Sequence, residues 1–161
     1  FSHVAMNCFL LIVAGVPIEG FAGSAHTVAL FTLGVLGAAA CHAVSDPHVG
    51  SAPTSDGAAV GLVGMSGGCY ALLGVHLSNV VMNWAQLPAR WWLLLSLLLL
   101  VALDVLQVQL GGAGSATAHA AHLGGYLAGL LVDLCLGRNL VWTRCERLLR
   151  VAAALAALGL T

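Results

Sequence analysis

The chain has 161 residues; 60% are apolar and only 7% are Asp, Glu, Lys or Arg, against roughly 25% charged residues in a typical soluble domain. It contains no lysine, and a formal net charge of −1 excludes a nucleic-acid binder, which needs a basic face. Five basic and six acidic side chains cannot cover the surface of a folded chain this long, so its surroundings must be largely lipid.

A membrane-crossing helix needs about 20 mostly apolar residues, and the charge-free runs place such spans in order along the chain. The first, about 1–18, carries His3 and Asn7, four apart and so on one helix face. The turn-rich stretch Glu19–Gly23 ends it, and a second span follows at about 25–43. Pro47 and Pro53 mark Ser45–Gly57 as a loop. The third span, about 60–82, holds Gly64-Met65-Ser66-Gly67-Gly68. At 1.5 Å per residue, Ser66 lies roughly 9 Å deep. Ala85–Arg90, with Pro88, leads to a fourth span at about 91–110, interrupted only by Asp104. Gly111–Ser115 then leads to a fifth at about 117–137, which has His119 and His122 near its start. A last apolar run, about 151–160, is too short to cross. The segments lack the alternation of a membrane β-barrel. The expected fold is therefore all-α: one polytopic transmembrane bundle over 1–161, with five full spans and a truncated sixth. Because Phe1 and Thr161 both lie inside apolar runs, the chain reads as a piece of a longer protein. The five cysteines form no CxxC pair and read as small buried hydrophobes.

Five alternating spans put Arg90, Arg138, Arg144, Arg147 and Arg150 on one side, while the loops 44–58 and 111–116 carry neither Lys nor Arg. Positive charge stays in the cytosol, so the arginine face is expected there and the opposite face in the lumen or outside the cell. Ser66, His119, His122, His3 and Asn7 then fall at similar depth below that opposite face.

Polar groups in apolar spans demand a reason. Each has a structural one when taken alone. Gly64/Gly68 and Gly125/Gly129 are small-xxx-small packing pairs, and a lone membrane serine usually bonds its own helix. The pattern Gly64-x-Ser66-x-Gly68 also matches a nucleophile elbow, but that device needs a strand in a soluble sheet. The coincidence of serine and histidine at one depth, each beside glycines, favours chemistry, because glycine lets two helices approach closely enough for a Ser–His hydrogen bond.

These segments resemble the rhomboid intramembrane serine proteases. GMSGGCYALLG, from Gly64, resembles the family's GxSG segment, AHLGGYLAG, from Ala121 to Gly129, its AHxxGxxxG segment, and SHVAMN, from Ser2 to Asn7, its HxxxN segment. All three stand in family order and at similar separations, most like animal rhomboid-related proteins. The resemblance implies a serine endopeptidase without a cofactor. Ser66 would be the nucleophile and His122 the general base. His3 and Asn7 would stabilise the oxyanion beside the Ser66 N–H. Tyr70 would pack on the catalytic histidine, and Gly125 and Gly129 would hold the helices close. The implied substrates are single-pass transmembrane proteins in a secretory-pathway or plasma membrane, cut toward the lumenal side. On this resemblance, these residues are expected to start after the family's first helix and loop and to stop within its last helix.

Asp104 reads as a structural polar residue, not a third triad member, and Asp133 lies too far along its span to serve His122. His26, His42, His48 and His76 have no partner by spacing and read as loop or interface residues. A zinc set of His3, His119 and His122 is permitted by the i,i+3 spacing, but no HExxH motif supports a metalloprotease, so no metal is expected. Two rivals remain: a catalytically inactive rhomboid-like protein that binds transmembrane clients, and a small transporter or channel with a histidine-lined pore.

Overall fold

The computed structural model describes residues 2–45, 64–111, 119–141 and 143–159. Among them every regular element is a helix: α1 (Ser2–Ala22), α2 (Ser24–Ser45), α3 (Met65–Met82), α4 (Arg90–Gly111), α5 (His119–Leu136) and α6 (Arg144–Gly159). Long runs of Leu and Ala favour helix, and in lipid a helix satisfies its own backbone groups. Val4–Ala22, Ser24–Ser45 and His119–Leu136 are long and apolar enough to cross a membrane. The loops expected around 46–58 and 112–116 lie outside the described residues.

The turn expected over Glu19–Gly23 shrinks to a single residue. α1 continues past Pro17 to Ala22, and Gly23 breaks it with a φ of 91°. That left-handed backbone favours glycine, and its N–H donates to the Glu19 carbonyl at 2.8 Å. α6 also begins earlier than the apolar run at 151. Thr143 and Glu146 form a capping box: the Thr143 N–H donates to Glu146 Oε2 at 2.6 Å, and the Glu146 N–H donates to Thr143 Oγ1 at 3.3 Å. Such a cap starts a helix ahead of its apolar stretch.

α3 is the centre of the bundle, and most of its residues are buried. It can therefore carry Gly67, Gly68 and Gly74 where a lipid-facing helix would carry large apolar residues. Asn7 and Ala14 of α1 meet Cys69 and His76 of α3 in turn, so these helices run parallel. Gly67 and Ala71 meet Gly125 and Gly129 in the same sense, so α5 is parallel to α3. α2 runs against both. α4 does too, with Tyr70 meeting Asp104 and Trp84 meeting Trp91.

The core holds Leu30, Leu72, Val75 and Val80. Ile12, Val16, Leu36, Trp92, Leu95 and Leu98 instead face outward. Soluble proteins rarely expose apolar patches on this scale, whereas a membrane protein turns such side chains toward acyl chains. The cysteines correct a sequence expectation. All five are free, but only Cys69 is buried, while Cys8 and Cys145 are exposed; in a membrane bundle an apolar run marks lipid-facing positions as readily as core.

Candidate active site

Ser66 occupies the first turn of α3, preceded by Gly64, and no side chain caps this end. The first four N–H groups of any helix lack intrahelical acceptors, and the helix dipole adds partial positive charge there. His119 and His122 lie in the first turn of the parallel α5. Two helix N-termini, one with a serine and one with two histidines, thus stand at the same end of the bundle.

Glycines bring them together. A methyl group on Gly125 would overlap the Gly67 carbonyl, and one on Gly129 the Ala71 carbonyl. The α3–α5 contact is therefore backbone against backbone, and no larger residue fits. Gly68 faces the Phe31 ring of α2, and Gly64 lies against Val35. At the end of this contact Ser66 and His122 are both buried, each 7% exposed. Tyr70, one turn after Ser66, stacks on His122 with ring centroids 4.1 Å apart and planes 11° apart.

Asp104 changes the reading of the site. It was expected to be a structural polar residue, but its Oδ1 lies 3.0 Å from His122 Nδ1 and accepts the Tyr70 hydroxyl at 2.9 Å. One carboxylate oxygen thus links the imidazole to the ring stacked on it. The sequence hid this because α4 is antiparallel to α3 and α5, and only their packing sets the register. His119 Nδ1 lies 3.8 Å from the same oxygen. These groups line a cavity of about 360 Å³ with Val101, Val105, Leu123, Tyr126 and Leu127.

α1 closes another side. Asn7 is 5% exposed, and its carbonyl accepts the Cys69 thiol at 3.4 Å, three residues after Ser66. The side chain of His3 lies outside the described residues, so the zinc set of His3, His119 and His122 does too. The described cluster of potential metal ligands is instead Asp104, His119 and His122.

Toward the other end, His26 Nε2 lies 3.8 Å from Asp133 Oδ1, and His76 Nε2 lies 2.9 Å from the Ala14 carbonyl. His76 thus has a hydrogen-bond partner on another helix and His26 faces a carboxylate on one, neither of which spacing could reveal. His42 falls in the last turn of α2, and His48 lies outside the described residues.

Residues 1–139 match the Rhomboid domain family model. The chain belongs to the rhomboid family. It is 30% identical to human rhomboid-related protein 3 over 86% of its own length and 34% of that relative's. It is 28% identical to rhomboid-related protein 1 of Caenorhabditis elegans, over 92% and 40%. With RHOMBOID-like protein 5 of Arabidopsis thaliana the identity is 30%, over 84% and 40%. The chain thus spans well under half the length of these curated relatives. No solved structure matches it.

Proposed function

We propose that this membrane protein is the core of an intramembrane serine endopeptidase, with Ser66 as nucleophile and His122 as general base. The observation that carries the reading is the clamp on His122: Asp104 at Nδ1 and Tyr70 on its face, on the helix packed directly against that of Ser66. A serine hydroxyl is a weak nucleophile until an oriented base takes its proton. When Nδ1–H donates to Asp104, the lone pair sits on Nε2, the nitrogen that acts as base. Asp104 then stabilises the imidazolium that forms on attack, as in other serine hydrolases. His122 returns the proton to the leaving amine, and a water follows the same path to release the acyl group.

The oxyanion needs donors that lipid does not supply. The Ser66 N–H, in the first turn of α3, suits that role, joined by Asn7 and His3 from α1. The alternating helix directions fit a multi-pass topology with the arginines in the cytosol and the site opening to the lumenal or extracellular side. The substrates on this reading are single-pass membrane proteins of the secretory pathway or plasma membrane, cut within or beside their spans.

The test is reconstitution of the full chain in vesicles with a panel of single-pass reporters. Cleavage by wild type and none by Ser66→Ala is the expected result. A folded wild type that captures reporters intact would instead identify a client-binding protein.

A further inference from the structure

We infer that Asp104, His119 and His122 form a binding site for a zinc-class divalent cation, and that the ion switches the serine site off. The inference of a switch rests on the endopeptidase reading; the metal site itself does not.

Three observations meet at this point. First, one ligand atom from each residue lies within 4.8 Å of the other two. His122 Nδ1 is 3.0 Å and His119 Nδ1 3.8 Å from Asp104 Oδ1. With metal–ligand bonds of about 2.0–2.2 Å, two ligands of a tetrahedral zinc stand roughly 3.3 Å apart. The two separations bracket that value, so small side-chain rotations would seat the ion.

Second, both ring nitrogens of His119 are buried and, among the described residues, have no hydrogen-bond partner. Such groups are rare and call for an explanation. A cation would supply the missing partner to one of them. Third, the set opens on the 360 Å³ cavity, which leaves room for water in a fourth position. Two imidazole nitrogens, one carboxylate oxygen and one open position are a donor set that zinc accepts. His119 and His122 project from one face of α5 by their i,i+3 spacing, and α4 supplies the acid.

The effect on catalysis follows from the tautomer. The working base keeps its proton on Nδ1 and its lone pair on Nε2. A metal at Nδ1 needs the Nδ1 lone pair, so the single proton of the neutral ring moves to Nε2. Nε2–H cannot accept the serine proton. The ion also takes up Asp104, which otherwise orients the ring. Zinc would therefore silence Ser66 without touching it, and a chelator would restore it.

The test has two arms on the full chain in detergent or nanodiscs. In the first, Co2+ is titrated into the Ser66→Ala protein, and the visible absorption of tetrahedral cobalt is read. The site predicts that absorption, its displacement by zinc, and at least tenfold weaker binding in His119→Ala. In the second, the rate of fluorophosphonate labelling of the wild type is measured with Zn2+ and again after EDTA, each variant normalised to its own metal-free rate. Labelling should fall with zinc and return with EDTA, and the zinc midpoint should rise at least tenfold in His119→Ala or His119→Asn. Tetrahedral cobalt bands in Ser66→Ala together with a folded wild type that never labels would keep the metal site and remove the protease reading. No such bands in Ser66→Ala with His119 intact would overturn the metal site even if both His119 variants failed to fold. An identical zinc response in a folded His119 variant would overturn it as well.

Discussion

Among the described residues, two aspartates face histidines across helix contacts, in different surroundings. Asp104 and His122 stand 3.0 Å apart beside the first turns of α3 and α5, with Tyr70 bonded to the acid and stacked on the base. Asp133 and His26 stand 3.8 Å apart near the other end of α5, where α5 ends and the antiparallel α2 begins. There the chain leaves unpaired carbonyls. Arg150 satisfies two of them, donating from Nε to the Leu134 carbonyl at 3.3 Å and from a second guanidinium nitrogen to the Gly137 carbonyl. Asn83 Oδ1 accepts the Leu140 N–H at 2.9 Å, which ties the α5–α6 connection to the end of α3. The same pair of residue types thus stands in two settings: Asp104 and His122 lie beside the first turns of α3 and α5 with Tyr70 on both, and Asp133 and His26 lie where Arg150 and Asn83 tie down the end of α5. The pairing alone does not mark a candidate site; the ring bonded to the acid and stacked on the base sets the first pair apart.

The largest expected effect that separates the two ends is loss of the base. His122→Ala should lower peptide cleavage on the order of 10²–10⁴-fold, the usual contribution of a positioned general base, whereas His26→Ala should leave the rate within about twofold per folded molecule. Asn7→Ala should lower kcat on the order of 10²-fold, with KM little changed, because the oxyanion exists only after attack. Unchanged kcat would show that α1 contributes packing alone.

Asp104→Asn should also lower cleavage, by up to about 10⁴-fold, because an amide in place of the acid leaves the imidazole in the wrong tautomer. Asp133→Asn, the matched change at the other end, should label with a serine-directed probe as wild type does. Equal losses from the two substitutions would erase the distinction drawn between them.

Packing gives a smaller effect. Gly125→Ala pushes a methyl into the Gly67 carbonyl, and overpacking of this kind costs about 1–3 kcal/mol. Gly159→Ala meets nothing and should be neutral or mildly stabilising in thermal unfolding.

The smallest effect belongs to the start of α6. The Thr143 N–H, and then its hydroxyl and the Asn139 amide, hold the Glu146 carboxyl below its ordinary 4.5. A folded-state value below the unfolded one adds stability that is present above pH 4.5 and is lost as pH falls through the lower folded value. Glu146→Gln should flatten that acid limb in a thermal-shift series between pH 7 and pH 3. An unchanged acid limb would mean the carboxylate contributes nothing beyond the cap geometry.

Much of this was legible in the sequence. The helical class followed from charge-free runs, and Ser66, His122 and the glycines beside them stood out through spacing within short segments. Tyr70 entered through family resemblance. What could not be read were contacts set by helix register. Asp104 reaches His122 only because α4 descends beside α3 and α5, and His26 meets Asp133 across most of the chain's length. Spacing rules stop at the end of a helix. Helix starts are also hard to count: an apolar run put Ser66 some six residues into its span, and it lies in the first turn of α3, where the N–H has no intrahelical acceptor.

The most direct measurement is fluorophosphonate labelling of the full chain in a membrane, with the modified residue mapped by mass spectrometry. The account predicts an adduct on Ser66 in the wild type, none in Ser66→Ala, a strongly slowed reaction in His122→Ala and Asp104→Asn, and a normal one in Asp133→Asn. A folded wild type that takes no label, or an adduct formed equally in Ser66→Ala, would contradict it.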